Sequence, residues 1–485
     1  MRGGTTSILV VDVGTSSVRA AIVAPDATVG GMHRVALPPS VPFPGLVEFD
    51  PSATATAALD VARAALNSAG PVDAVGVTNQ RASAVVWDAR SGEPVGPGLG
   101  WQDLRTAGRC LELQAEGLRL APNETATKVA WLLDTYDPDR RRDLRWGTID
   151  SWLVWQLTGG ALHVTDVTNA GVTGLLGRGA TGWDMEKASQ LAIPEASMPV
   201  VVDSSGLVGD ATALEGAPPI TCLVGDQQAS LVGQGCTQPG LAKITFGSGA
   251  MLDVCLGGQR PGFDVRGPGG CFPIVAWRRA GVVSWGVEAI MLAAGSSVDW
   301  LVDDLGLLSS AAESEQVAAG CSDTGGVVVV PALLGLGTPA WDFGARGAVL
   351  GLSRGSGRAE LVRAVLEGVA HRGADLLEAA EADAGRPVEA LRVDGGMSAN
   401  TVFVQALADA CRRPVEVSPQ LEATTLGAGF LGGLAVGTWA DEDELAATWR
   451  PRSVVEPAGE ADRDRWRAAV DRARGWYPEL SALSF

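Results

Sequence analysis

Three short stretches set a carboxylate beside glycine at the end of an apolar run. They are Asp12-Val13-Gly14-Thr15, Gly225-Asp226-Gln227-Gln228 and Asp394-Gly395-Gly396. Singly, each is a turn that Asp and Gly favour for backbone reasons, but three in one chain suggest a shared task. The N–H groups and hydroxyls of Gly14-Thr15-Ser16 and of Gly247-Ser248-Gly249 offer a cradle for phosphate oxygens that needs no lysine. Carboxylates beside such a cradle suit Mg2+ held through water, because that ion takes few protein oxygens and fills its shell with water and phosphate. A lysine-based phosphate grip is excluded: no GxxxxGK[ST] occurs, and lysine stands only at 128, 187 and 243. The pattern GxGxxG occurs at 177–182 and 427–432. The second lies in an apolar stretch with no strand immediately before it, so close helix packing is expected there and not dinucleotide binding.

Elements must bring these turns together. Ile8 to Asp26 reads as strand, tight turn, strand, and Val72 to Val77 as a further strand leading to Thr78-Asn79-Gln80-Arg81 and then Ala84-Val85-Val86-Trp87-Asp88. Between about 100 and 160 the apolar spacing becomes helical, with Asp150-Ser151 as N-cap of a segment ending at Gly159-Gly160. Near 223 the opening pattern returns in LVGDQQASLVGQG and LAKITFGSGAMLDVCL, a weak repeat of strand, acid-bearing turn, strand. The spacing predicts a strand over 327–330, an amphipathic helix over 360–381, a strand over 391–393 and a mostly helical tail over 440–485. A domain boundary is expected near Gly240, giving units 1–240 and 241–485.

The 485 residues exceed what one core supports. With 46% apolar residues, 19% charged and 63 Gly, the balance is that of a globular α/β protein. A formal charge of −19 repels nucleic-acid backbones and anionic lipid, so neither partner is expected. Three His and seven scattered Cys without a CxxC pair exclude a zinc ribbon and fit a reduced cytoplasmic protein. The N-terminal apolar stretch is too short for a signal peptide, and the longest one, 327–336, is too short to span a bilayer.

DVGTSSVRA, VGVTNQRASAVVWD, WQDLRT, TATKVAWLLD, GTIDSWLVWQLTGGALHVTDVTNA, VGDQQASLVGQG, TFGSGAM, GLGTPAWDFGARGAVLGL, VDGGMSANTVFVQALADACRRPV and LGAGFLGGLAVGTW resemble, in order and over roughly residues 7–440, the FGGY carbohydrate kinases and most of all their glycerol kinase branch. The resemblance implies an α/β chain of two ribonuclease-H-like (actin/hexokinase-type) domains flanking a cleft. ATP would lie on the second domain and a sugar or polyol mostly on the first. It implies Asp226 as the general base, with Gln227 binding substrate beside it, and Asp12, with Asp226, holding Mg2+. Gly14, Thr15, Ser16 and Arg19 would form one phosphate loop, and Gly247 and Ser248 the other. Gly295, Asp299, Gly395, Gly396 and Asn400 would line the nucleotide pocket. It also implies a homo-oligomer, dimer or tetramer.

The acceptor pocket departs from the glycerol kinase pattern. Arg81 and Trp101 are kept, but the carboxylate that follows the arginine is Ala82, the aromatic five residues before Lys128 is Asn123, and the Phe after TFGSGA is Met251. A hydrogen bond to a charged group contributes ~1.5–3 kcal/mol, so these changes are expected to disfavour glycerol and to admit a polyol or ketose of four or five carbons. Glycerol kinase proper, or a non-catalytic ATP-binding sensor on the same fold, are the alternatives. The stretch 204–220 contains no base, so the inhibition by a sugar bisphosphate that some relatives show there is not expected. His163 is expected to be structural, Arg81 either a substrate ligand or an ion-pair partner, and most of the 15 Trp core or wall residues.

Overall fold

Residues 6–420 and 422–483 are described by the computed structural model; residues 1–5, the start of the N-terminal stretch weighed above, and the last two residues of the tail lie outside them. Among the described residues, thirteen strands share one sheet. They are β1 (Ile8–Val13), β2 (Ser17–Val23), β3 (Val29–Ala36), β4 (Ala74–Asn79), β5 (Ser205–Asp210), β6 (Pro219–Gly225), β7 (Ala242–Phe246), β8 (Ala250–Gly257), β9 (Phe272–Arg279), β10 (Val282–Met291), β11 (Leu391–Asp394), β12 (Val415–Val417) and β13 (Ser453–Val455). Their order across the sheet is β13-β12-β11-β7-β8-β10-β9-β5-β6-β4-β1-β2-β3. Only Ser205 opposite Arg279 joins β5 to β9, so the sheet consists of two halves.

Each half repeats one arrangement. In the first, β6, β4 and β1 run parallel while β2 and β3 return antiparallel. In the second, β12, β11 and β7 run parallel while β8 and β10 return antiparallel. The weak repeat in the sequence is therefore real but displaced. The counterpart of β1-turn-β2 is β7-turn-β8 around Gly247-Ser248-Gly249, and Asp226 opens a helix instead of a turn between strands. Every residue of β1 and β4 is buried, as expected of near-continuous apolar parallel strands covered on both faces.

Helices α1 (Pro51–Ala69), α2 (Thr125–Tyr136), α3 (Asp226–Gly233), α4 (Gly295–Asp303), α5 (Arg358–Ala384), α6 (Thr401–Cys411) and α7 (Ala423–Val436) cover the sheet or frame its ends. The Asp50 carboxylate caps α1 by accepting from the Ser52 and Ala53 N–H groups, with Pro51 in the first turn. The helix lays Ala58, Val61, Ala62 and Ala65 on Leu9, Val11, Val75 and Val77. The predicted amphipathic helix over 360–381 is the core of α5, which buries Val365, Val369 and Leu376 with Ile244, Leu252 and Val393.

Helix α7 belongs by sequence to the second half but packs into a core with Ile8, Val10 and Cys222 of the first and with α3. Glycine makes this possible: a Cβ on Gly427 would overlap the Ala229 carbonyl of α3, and one on Gly233 the Ala423 carbonyl of α7. On its other side Gly429 faces the Val23 side chain. The GxGxxG at 427–432 thus serves helix packing, as its apolar context predicted.

Two local expectations are corrected. The helix Ile149–Leu157 begins after Thr148, with Asp150 inside its first turn. The Asp150 carboxylate instead accepts buried hydrogen bonds from the Thr148 and Thr165 hydroxyls. The tail contains helices Glu442–Thr448, Arg463–Ala473 and Pro478–Ser481 but also strand β13, three residues too short to show a period. Among the described residues, no helix is long and apolar enough to cross a membrane.

His163 has the structural place expected of it, bonded through Nε2 to the Trp146 carbonyl at 2.8 Å and edge-on to Trp87. Burial pushes it, and His371 stacked on Trp466, down from 6.5 to about 4. Because the unfolded chain binds these protons first, stability is fully present above pH 6.5 and is lost as pH falls through 4. Urea unfolding is expected to show a loss of up to about 3 kcal/mol per histidine across that window, and His163→Gln is expected to flatten the slope.

Candidate active site

Three neighbouring parallel strands end level. Val13, Asn79 and Gly225 are in register across β1, β4 and β6, so Gly14, Gln80-Arg81 and Asp226 emerge together at the carboxyl edge, where open α/β sheets place their ligands. The Gly225 N–H donates to the Thr168 hydroxyl at 2.8 Å, fixing the backbone immediately before Asp226. Thr168 is fixed in turn by Asp166, whose carboxylate caps the short helix Val167–Gly171.

Around Asp226 the charges close into a ring. Arg81 Nε lies 3.6 Å from Asp226 Oδ1, and Arg81 Nη2 donates to Glu288 Oε2 at 2.6 Å. Glu288 on β10 stands opposite Asp253 on β8, and Asp253 opposite Lys243 on β7. Lys243 pairs with Asp253 at 2.8 Å and donates to Gln227 Oε1 at 2.8 Å, while the Gln227 N–H donates to Asp226 Oδ1. Burial raises the Asp226 carboxyl above its ordinary range; Arg81 pulls it down and the like charge of Asp12 pushes it further up. Burial likewise pushes Glu288 up to about 7, against the pull of Arg81 and with a contribution from Asp253. Arg81 is thus an ion-pair partner and a neighbour of Asp226 at once.

A second buried lysine shapes the adjoining wall. Lys128, in the first turns of α2, donates to the carbonyls of Ala82 at 3.0 Å, Asn123 at 2.9 Å and Glu124 at 3.0 Å. Burial lowers its pKa to about 7. The bond at Ala82 holds a residue whose φ is +60°, a left-handed backbone uncommon for a side chain with a Cβ. Trp101 Nε1 donates to Thr15 Oγ1 at 3.2 Å, so its indole touches the first glycine loop. Met251 is half-buried on β8 opposite Thr245.

At the first loop, Arg19 Nε donates to Asp12 Oδ2 at 2.7 Å, and Arg19 Nη1 lies 2.8 Å from Glu422 Oε2, just before α7. Burial raises the Asp12 carboxyl against the pull of Arg19. On the second half, the Ala294 N–H donates to the Ser248 carbonyl at 2.7 Å and the Gly295 N–H to the Gly247 carbonyl at 2.9 Å. A Cβ on Gly395 would overlap the Phe246 carbonyl. The Gly247-Ser248 turn, the start of α4 and the Asp394-Gly395-Gly396 turn are therefore brought together. Asp299 is exposed on α4. Asn400 caps α6 and donates to Ser314 Oγ at 3.0 Å, so that its side chain is engaged in structure.

Helix α3 links the two sides. Asp226 begins it, and Ser230 and Gln234 further along donate to Asp394 Oδ2, while Asp394 Oδ1 is buried without a hydrogen-bond partner. Sequence reasoning missed Lys243, Asp253, Glu288 and Glu422, and took Lys128 only as a landmark. One signal was present: in a chain with three lysines, Lys243 stands inside the apolar run Leu241-Ala242-Lys243-Ile244, a place where an unpaired ammonium is costly.

Two linked half-sheets of repeated order, meeting where glycine turns and carboxylates converge, define a two-domain kinase fold of the α/β type. The N-terminal domain of the FGGY family of carbohydrate kinases matches residues 7–233, and its C-terminal domain residues 275–436. The chain belongs to the FGGY family of carbohydrate kinases. It is an ATP-dependent phosphotransferase with an alcohol group as acceptor. Among similar proteins, the glycerol kinase of Trichlorobacter lovleyi is 43% identical over 97% of this chain and 99% of its own length. The glycerol kinase of Aromatoleum aromaticum is 42% identical over 97% and 99%. The crystal structure of Plasmodium falciparum glycerol kinase with ADP superposes with a TM-score of 0.89 at 26% identity, over 97% of this chain and 98% of that one. A xylulose kinase from Brucella ovis does so with a TM-score of 0.85 at 25% identity, over 99% and 100%.

Proposed function

We propose that the protein transfers the γ-phosphoryl group of ATP to a hydroxyl of a polyol or ketose of four or five carbons. Asp226 is the base: its carboxylate takes the proton from the attacking hydroxyl, and its raised affinity for a proton suits that task. Arg81, Trp101, Asn123, Gln227, Ala82 and Met251 surround the acceptor. Gly14, Thr15, Ser16 and Arg19, with Gly247 and Ser248, receive the phosphates, and Gly295, Asp299, Gly395, Gly396 and Asn400 frame the rest of the nucleotide. Phosphoryl transfer asks for positioning and charge neutralisation more than covalent chemistry, and backbone N–H groups with two arginines supply the first. Residues 1–240 and 241–485 act as the two units of the cleft, and α7 ties the second to the first.

The residues fit Mg2+. No group of three or more His, Cys, Asp or Glu gathers into a metal cage among the described residues, but the buried carboxylate of Asp12 and the half-buried one of Asp226 lie close enough to repel one another. Asp12 and Asp226 would hold the ion mainly through water, and when bound it supplies positive charge to the phosphate oxygens.

The acceptor reading is carried by one observation: Lys128 binds the carbonyls of both Ala82 and Asn123, so two of the three positions that depart from the glycerol kinase pattern belong to one wall. Glycerol kinase activity is the second reading, favoured by 42–43% identity to proteins of that name over nearly the whole chain. A coupled ADP-release screen with Mg·ATP against glycerol, tetritols, pentitols and ketopentoses separates them. Ala82→Glu is expected to raise the ratio of kcat/KM for glycerol over the best longer acceptor about 10-fold. An unchanged ratio would show that position 82 does not set the acceptor preference, and best wild-type activity on glycerol would select the second reading. ATP binding without turnover on any acceptor would favour a sensor.

A further inference from the structure

Two of the chain's three lysines are wholly buried, and each is bonded to a residue assigned above to the acceptor site. Lys128 grips three carbonyls; Lys243 grips a side chain. Its ammonium lies 2.8 Å from the Gln227 amide and 2.8 Å from Asp253 on the neighbouring strand. An ammonium has only hydrogens to offer, so the amide atom it meets must be the oxygen. The amide is therefore fixed in one of its two orientations, and the group that Gln227 can present to a ligand is its NH2, a donor only.

We propose that Lys243 is a positioning residue that locks the Gln227 amide, so that the site accepts at this point only an acceptor atom with a lone pair, a hydroxyl or carbonyl oxygen, and rejects an ammonium or a missing oxygen. The inference rests on the kinase reading above, and it narrows the substrate class by a rule of polarity rather than of size. A free glutamine could turn its amide to suit a donor or an acceptor; one held by a buried cation cannot without leaving that cation's charge-assisted bond unmade. The ion pair with Asp253 holds the ammonium in place, and Thr245 Oγ1 accepts a further hydrogen bond from it at 3.0 Å.

The test uses the full-length enzyme, its best acceptor, and the monodeoxy and aminodeoxy analogues of that acceptor. Removing Lys243 alone would strand a buried Asp253, so the variant is the double substitution Lys243→Met with Asp253→Leu. Its acceptor KM is expected to rise ~3- to 10-fold with the KM for ATP unchanged. Its preference for the parent acceptor over one aminodeoxy analogue is expected to fall about 10-fold. Should the double variant not fold, Gln227→Glu keeps a partner for Lys243 while removing the donor. It is expected to retain the wild-type Tm, raise the acceptor KM about 10-fold, and improve the same aminodeoxy analogue relative to the parent. Parallel loss of kcat and of both affinities, with discrimination among analogues unchanged, overturns the proposal. If the wild type releases no ADP with any acceptor, the kinase reading fails separately. A crystal structure then decides the inference: Lys243 Nζ within hydrogen-bond distance of Gln227 Oε1 supports it, and a lysine turned away from the amide overturns it.

Discussion

Asp226→Asn is expected to lower kcat by ~10²- to 10⁴-fold, the usual contribution of a positioned general base, while leaving ATP binding within a factor of about two. The asparagine keeps the size of the side chain and its place at the head of α3, where Gly225 is fixed by Thr168 and the Gln227 N–H needs an acceptor. What it loses is the capacity to take a proton, and with it a charge that would help hold Mg2+ through water. The same argument sets the sign of the pH dependence. The base works only when ionised, so kcat/KM for the acceptor falls as pH drops through its pKa. That limb lies above the ordinary 3.8 because burial raises Asp226 more than Arg81 lowers it. Stopped-flow ADP release over a pH series, in wild type and variant, reads both effects; a variant with undiminished kcat would assign the base elsewhere.

The largest stability effect is expected at the crossing of α3 and α7. Gly427→Ala adds a single methyl, but that methyl would occupy the place of the Ala229 carbonyl oxygen, and the reciprocal contact of Gly233 with Ala423 leaves no slack in the partner helix. Backbone meets backbone here, so no side chain can rotate away. The helices must separate, opening the apolar core shared by Ile8, Val10, Leu231 and Phe430. A loss of about 3 kcal/mol or more follows from overpacking joined to cavity formation, readable as a lowered urea midpoint. Since Asp226 is the first residue of α3, kcat should fall as well, even with no ligand-contacting residue changed. Gly437→Ala, one residue past the end of α7 and with nothing within 4 Å of an added Cβ, is the control. Its φ of +80° limits the effect to about 1 kcal/mol of backbone strain.

These two residues mark how far the amino-acid sequence reaches. Asp226 was legible because strand-ending residues announce a turn edge, and the order of ten motifs identified the family. Gly427 was legible as a packing glycine from its apolar neighbours, but not the helix it packs against. The repeat was visible yet assigned to the wrong turn, since Gly225-Asp226 looks like a turn until Gln227 to Gly233 are seen to coil. Asp150 was taken for a cap because Asp favours that place, whereas its burial with Thr148 and Thr165 is a tertiary outcome.

By itself, then, the sequence determined most of the segments that become strands and helices, which turns bear acid and glycine, and the family to which the chain belongs. These follow from local period, backbone preference and motif order. The tertiary structure alone decided that Arg81 meets Glu288 207 residues away, that Lys243 fixes the amide of Gln227, and that Lys128 ties Ala82 to Asn123. Such contacts depend on which strands lie adjacent in the sheet and on their register, and a buried charge finds its partner only after the backbone has closed around it.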